Sequence, residues 1–275
     1  MLTSLWRSRA LIWTLVKKDL KVRYKASALG FLWSFGRPLF LMLIMWAVFS
    51  RLVRLYPGDS RLPYALHLLG GLLPWMYFSG AVGESVYSLL GHSNVIKKVA
   101  LPTEVFPVAA VFSHLIHFFL ALIVLSFFMV AMKVGPDWRV LWLPVLIAGQ
   151  TAFTLALALI VAGLYVYYRD VGSLAEIVLS AWFYVSPVIY PLGLATGKLE
   201  EMGGFPLAAL YLANPMVAFT AGYRYALFGA SMDPPELSGA WFQFTVASSF
   251  LSAIVLWLVA APLYRSLSRS FADEL

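Results

Sequence analysis

Six apolar stretches, each close to the length that crosses a bilayer, run through this 275-residue chain. At about 1.5 Å rise per residue, roughly 20 helical residues match a hydrocarbon core of about 30 Å. On that measure we expect spans at roughly 35–54, 66–90, 104–132, 141–168, 174–192 and 243–264, and so an all-α integral membrane protein. The third and fourth are long enough to tilt. Pro38 is expected in the first turn of the opening span, where a missing N–H costs least. Hydrophobic residues make up 61% of the chain and charged residues 12%, too little polar surface to coat a soluble globule of this size. Function is therefore to be sought in what crosses, enters or docks on a membrane.

Lys and Arg set the orientation. Residues 1–37 carry eight of them, and Lys97, Lys98, Arg169, Arg265 and Arg269 fall on the same side, 13 against seven on the other. The basic side is expected inside, with both termini cytoplasmic. Residues 1–25 are too basic and too interrupted for a secretory signal peptide. The net charge of +7 is then a topology signal and implies no nucleic-acid partner. The chain has no Cys, so no disulfide frame or thiolate metal site is available.

We read one transmembrane domain over 1–275, opening with a cytoplasmic interface helix at 1–30. Ile12, Trp13, Val16 and Leu20 share one helical face, and Lys17, Lys18, Lys21 and Lys25 occupy the other. Arg9 and Arg23 break that pattern. The basic face fits either a collar that fixes topology or a surface that handles an anionic substrate. Spans one to five fill 35–192, an extracellular segment follows at 193–240, and span six closes the domain at 243–264. In that segment two apolar runs, Phe205 to Leu212 and Met216 to Phe228, flank Asn214-Pro215. Each is too short to cross, and Asn-Pro favours a turn. A pair of short re-entrant helices is expected, with a hairpin lying flat on the outer leaflet as the alternative.

Charge inside the spans is sparse. Glu84, with Gly80 and Gly83 nearby, must face a helix interface or water, and reads as a polar tie between helices or a proton-coupling group. His114 and His117 read as packed or hydrogen-bonded histidines rather than as metal ligands. Ala152, Ala156 and Gly163 lie on one side of the fourth span and imply close helix packing. Trp182-Phe183-Tyr184, followed by Ser186-Pro187 and Tyr190-Pro191, places flat rings beside a helix break. These rings suit a lipid-facing belt or a path on which sugar rings stack.

Several segments then fall into a familiar order. Asp19-Leu20-Lys21-Val22-Arg23-Tyr24-Lys25, Leu29-Gly30-Phe31-Leu32-Trp33-Ser34 and Pro38 open the chain. Ile96-Lys97-Lys98 with Leu101-Pro102 and Tyr168-Arg169-Asp170-Val171-Gly172 follow between spans. Ser186 to Pro191, Asn214-Pro215, Tyr223-Arg224 and Phe271 to Leu275 complete the set. Together they resemble the ABC-2 permeases that export polysaccharides and polyol phosphates, among them the O-antigen, capsule and wall teichoic acid exporters.

The resemblance implies six spans and two re-entrant helices before the last. It also implies a homodimer in the bacterial cytoplasmic membrane, with two cytoplasmic ABC ATPase subunits docked on it. No G-x-x-x-x-G-K-[ST] motif occurs, so no cofactor is expected on this chain, and ATP and Mg are expected on the partner subunit. The expected activity is export of a lipid-linked glycan, O-antigen-like on an undecaprenyl diphosphate, and not catalysis by the chain itself. Teichoic acid or capsule export is the alternative within the family. Arg23, Lys25 and Arg37 are candidates for drawing in the anionic headgroup, which cannot cross hydrocarbon unaided. Trp182, Phe183, Tyr184 and Tyr190 are candidate channel residues. Lys97, Lys98, Val99, Leu101, Pro102 and Glu104, with Arg169 and Asp170, are candidates for ATPase coupling, although the last two would also suit a simple pair at a helix end. Asn214, Pro215, Tyr223 and Arg224 are candidates for the outer gate. An enzyme acting on a lipid phosphate would need convergent acids, bases or metal ligands, and Glu84, His114 and His117 are few for that. A passive channel is the third class.

Overall fold

A computed structural model of the chain describes residues 2–24, 33–52, 63–99, 101–229 and 239–275. Two helices precede the bundle, α1 (Leu2–Arg7) and α2 (Arg9–Tyr24). α3 (Trp33–Trp46) continues into a π-helical stretch, Ala47–Leu52. α4 (Tyr64–Ser88) leads through the single turn α5 (Ser93–Ile96) to α6 (Val105–Ala131). A 3-10 turn, Trp138–Trp142, runs into α7 (Leu143–Tyr167), and α8 (Val171–Val185) follows. The chain closes with α9 (Leu192–Leu212), α10 (Pro215–Phe228), α11 (Gly239–Leu267) and α12 (Phe271–Glu274). No strand occurs among the described residues.

Among the described residues four helical stretches are long and apolar enough to cross a membrane: Tyr64–Ser88, Val105–Ala131, Trp138–Tyr167 and Phe242–Ser270. They match the second, third, fourth and sixth expected spans. The other two contain shorter apolar helices, Pro38–Phe49 and Val171–Val185. The expected span at 174–192 is not one helix. α8 stops at Val185 because Ser186 turns extended and Pro187 offers no N–H to continue the ladder. At about 1.5 Å per residue, its 15 residues cover about 22 Å, short of the hydrocarbon core. Pro38 also departs from expectation, since α3 is already helical at Trp33 and the proline lies inside it.

α4 is the axis of the bundle. α6 and α7 pack along it, α10 covers its first half, and α3 and α8 lie against its remaining sides. α7 and α11 form the other close pair, as the small residues of the fourth span imply. The indole N–H of Trp257 donates to the Ala152 carbonyl at 2.8 Å. A Cβ on Gly163 would stand 3.3 Å from the Tyr264 ring.

The segment after α8 differs from the sequence reading in extent. α9 begins at Leu192, so Lys198, Glu200 and Glu201 sit inside a helix and not in a connector before Phe205. The turn at Asn214 stands where expected, and it starts α10 for a local reason. The Asn214 side chain accepts from the Met216 N–H at 3.0 Å, and Pro215 occupies the first turn, where its missing donor costs nothing. Every residue from Met216 to Phe228 is buried, against α4, α7 and α11. A hairpin lying flat on a surface would leave one face of α10 open.

Candidate functional site

Two polar sites tie other elements to α4, one at each end. At the first end the helix break is buried, with Ser186, Pro187, Val188 and Ile189 all enclosed. Its free carbonyls are met by side chains. Arg224 of α10, fully buried, donates from Nη2 to the Val188 carbonyl at 2.7 Å and from Nε to the His67 carbonyl at 3.0 Å. The Tyr64 hydroxyl donates to the Ile189 carbonyl at 2.9 Å. Irregular backbone is tolerated at membrane depth only with such internal partners. Gly70 and Gly71 make the approach possible: a Cβ on Gly71 would lie 2.5 Å from Arg224 Nη2 and 2.8 Å from the Val188 carbonyl oxygen. Asn214 completes the lock. Its Oδ1 accepts from the Trp182 indole N–H at 2.9 Å, and its amide reaches the Ser186 hydroxyl at 3.5 Å.

The other end is wetter. Glu84 accepts from Arg23 of α2 and faces His114 of α6, with Nε2 2.8 Å away. Both members of the ion pair are part-exposed, Arg23 at 40% and Glu84 at 35%. Gly80 admits the imidazole, since a Cβ there would stand 2.6 Å from His114 Cε1. The His117 ring lies edge-on to His114 at 6.2 Å. Glu84 is thus a tie between three helices. From His67 to Glu84 α4 rises about 25 Å, so the two sites stand almost a hydrocarbon thickness apart.

α2 carries further ties. Lys18 Nζ meets His92 Nε2 at 2.9 Å, while the ring's Nδ1 pairs with the Ser88 carbonyl at 2.8 Å. Ser4 of α1 donates to Glu104. The buried face of α2 differs slightly from the expected one: Val16 is buried and Ile12 and Leu15 pack inward, but Trp13 is half-exposed under Lys17. On α2, Asp19 is part-buried, and that burial raises its carboxyl above the ordinary range.

The remaining candidates divide clearly. Lys97, Lys98 and Val99 are exposed beside α5, and Leu101, Pro102 and Glu104 are half-buried behind them. Tyr264 donates to Thr103 at 3.1 Å, fixing this loop to α11. Arg169 lies over the Tyr165 ring and forms no ion pair with Asp170, so the simple pair at a helix end is not formed. Phe183 and Tyr184 line a cleft of about 320 Å³ between α3, α4 and α8, with Trp75, Ser79 and Ser180. Trp182 turns inward onto Phe78 and Phe153, and the Tyr190 hydroxyl bonds the Tyr184 carbonyl at 2.9 Å. Tyr223 is fully buried with its ring edge on Phe118. Lys25 lies outside the described residues, as does the side chain of Arg37. Sequence reasoning missed Tyr64, His67 and the Gly70-Gly71 pair. Adjacent glycines inside an apolar helix are the one signal that marks them.

Residues 10–228 match the family described as ABC-2 type transporter. The chain belongs to that family. Among curated proteins it is 30% identical to the O-antigen export system permease protein RfbA of Myxococcus xanthus, over all of this chain and 99% of that protein. It is 27% identical to a protein of the same name from Klebsiella pneumoniae, over 96% of this chain and 95% of that one. As an ABC-2 transporter chain it has its buried Arg224 and its open Arg23 at opposite ends of one membrane helix.

Proposed function

We propose that this chain is the permease subunit of an ATP-driven exporter that moves a lipid-linked, O-antigen-like polysaccharide across the bacterial cytoplasmic membrane. The observation that carries this is similarity to O-antigen export permeases over 96% or more of the chain. Six crossings with both termini inside follow from the charge asymmetry if α3 and α8 complete spans one and five. In a homodimer the outward Leu174, Ile177 and Val178 of α8 are the face offered to the second copy.

The path runs along the part-exposed stripe of α4: Met76, Ser79, Gly83, Glu84 and Tyr87. Aromatic rings at Phe183 and Tyr184 face sugars there, and Ser79 and Ser180 offer hydroxyl partners. Its inner end is the Arg23 site and its outer closure is α9–α10. Lys97, Lys98 and the exposed Val95 and Val99 form the surface for one ATPase subunit per permease, and that partner holds ATP and Mg.

The test is ATP hydrolysis by purified components. The ATPase co-purified with this chain should respond to lipid-linked glycan, and the chain alone should hydrolyse nothing. Hydrolysis unaffected by the glycan would remove it as substrate.

A further inference from the structure

We propose that Glu84 is an exchangeable counter-ion: it holds Arg23 and the interface helix α2 until the diphosphate of a lipid-linked substrate takes its place. This rests on the reading above that such a lipid is the substrate. The ion pair joins an interface helix to a spanning helix, and both side chains are reachable from outside the protein. Space stands open beside it, because nothing lies within 4 Å of where a Cβ on Gly83 would be. A guanidinium presents a planar fork of donors that fits phosphate as well as carboxylate, so the incoming group can match what it displaces.

The carboxylate also has somewhere to go. His114 is already 2.8 Å from Glu84 on the α6 side, and Gly80 is what lets the ring stand there. Glu84 released from Arg23 keeps a polar partner and is not stranded among apolar side chains. The other titratable groups facing the pair are Asp19 one turn earlier on α2 and His117 one turn later on α6.

Exchange at Arg23 would be felt elsewhere. α2 stays attached through Lys18 to His92, and α1 through Ser4 to Glu104. Both attachments lie on the segment 92–104, which flanks the surface assigned to the ATPase. A headgroup that captures Arg23 therefore loosens one polar tie and leaves the Lys18 and Ser4 ties that reach the coupling loop.

The experiment uses the permease co-purified with its ATPase in nanodiscs of neutral lipid. Hydrolysis is titrated with a long-chain isoprenyl diphosphate, and in separate arms with inorganic pyrophosphate and with phosphatidylglycerol. Arg23→Ala should raise the half-maximal diphosphate concentration about tenfold, the loss of one charge-assisted contact. Glu84→Gln should lower it several-fold and raise basal hydrolysis, because the competitor is gone. Opposite signs are the signature of exchange. If both variants weaken the response alike, the pair is a static tie and the exchange is overturned while the headgroup reading stands. If wild-type protein ignores isoprenyl diphosphate, the headgroup reading itself falls. Pyrophosphate producing the same opposite shifts supports exchange with an aqueous anion, and a response to phosphatidylglycerol alone overturns it. Should Glu84→Gln fail to assemble, Glu84→Asp carries the test, since its shorter side chain holds Arg23 less well and should shift the response the same way by less.

Discussion

Arg224 and Arg23 each fasten another element to α4, and they do so by opposite physics. Arg224 is enclosed, packed against glycines, and donates to the Val188 carbonyl at the helix break and to the His67 carbonyl of α4. Arg23 is 40% exposed and spends its charge on a carboxylate that has a second partner. A carbonyl of a broken helix has no alternative at that depth, so the first contact is permanent. An exposed ion pair is worth only about 0–1 kcal/mol and can be traded for another anion. The Arg224 end of α4 is enclosed and fixed, and the Arg23 end is the one at which we propose exchange.

The sharpest way to break this contrast is Arg224→Leu. It strands the buried Val188 carbonyl at about 1–3 kcal/mol and empties the space the guanidinium fills, so folded protein extracted in detergent should fall and its thermal midpoint should drop by several degrees. A midpoint near wild type would show that the break holds without Arg224. Next in size is a glycine comparison. Gly71→Ala drives a methyl to within 2.5 Å of the guanidinium and should cost about 1–3 kcal/mol, whereas Gly83→Ala meets only open space within a helix and should hold or slightly raise the midpoint. Equal losses at both sites would mean that packing around α4 is uniform. Reversing charge with Lys97→Glu and Lys98→Glu should leave the midpoint untouched but reduce the ATPase recovered on affinity purification. Unchanged recovery would assign that contact to Val95 and Val99. Arg23→Ala should cost little stability, about 1 kcal/mol or less. A loss as large as that of Arg224→Leu would make the inner pair structural as well.

Much of the fold was legible, and the reasons for the rest are physical. Spans two, three, four and six are continuous apolar runs, which length alone identifies. The fifth reads on to 192 because Val188, Ile189 and Tyr190 are apolar, although it is the proline at 187 that ends the helix. α9 was missed over 192–204 because Lys198 and Glu201 argue against lipid but not against a helix, and they pair at 3.0 Å on its surface. Asn214 declared itself through Asn-Pro, while its bonds to Trp182 and Ser186 needed the folded chain. Glu84 reads as a tie from sequence, yet no pattern links it to Arg23, 61 residues away. Pattern reports which residues are costly to bury, and only geometry reports who pays that cost.

Transport itself is the decisive measurement. The permease and its co-purified ATPase would be reconstituted in vesicles whose ATPase-bearing face is outward, with lipid-linked polysaccharide in that outer leaflet, and the glycan left open to an added lectin would be followed after ATP. Lectin-accessible glycan should decline with ATP and stay constant without it, and Glu84→Gln should retain the ATP dependence. Glycan that remains fully accessible while ATP is hydrolysed, or that is lost equally without nucleotide, would contradict an ATP-driven exporter.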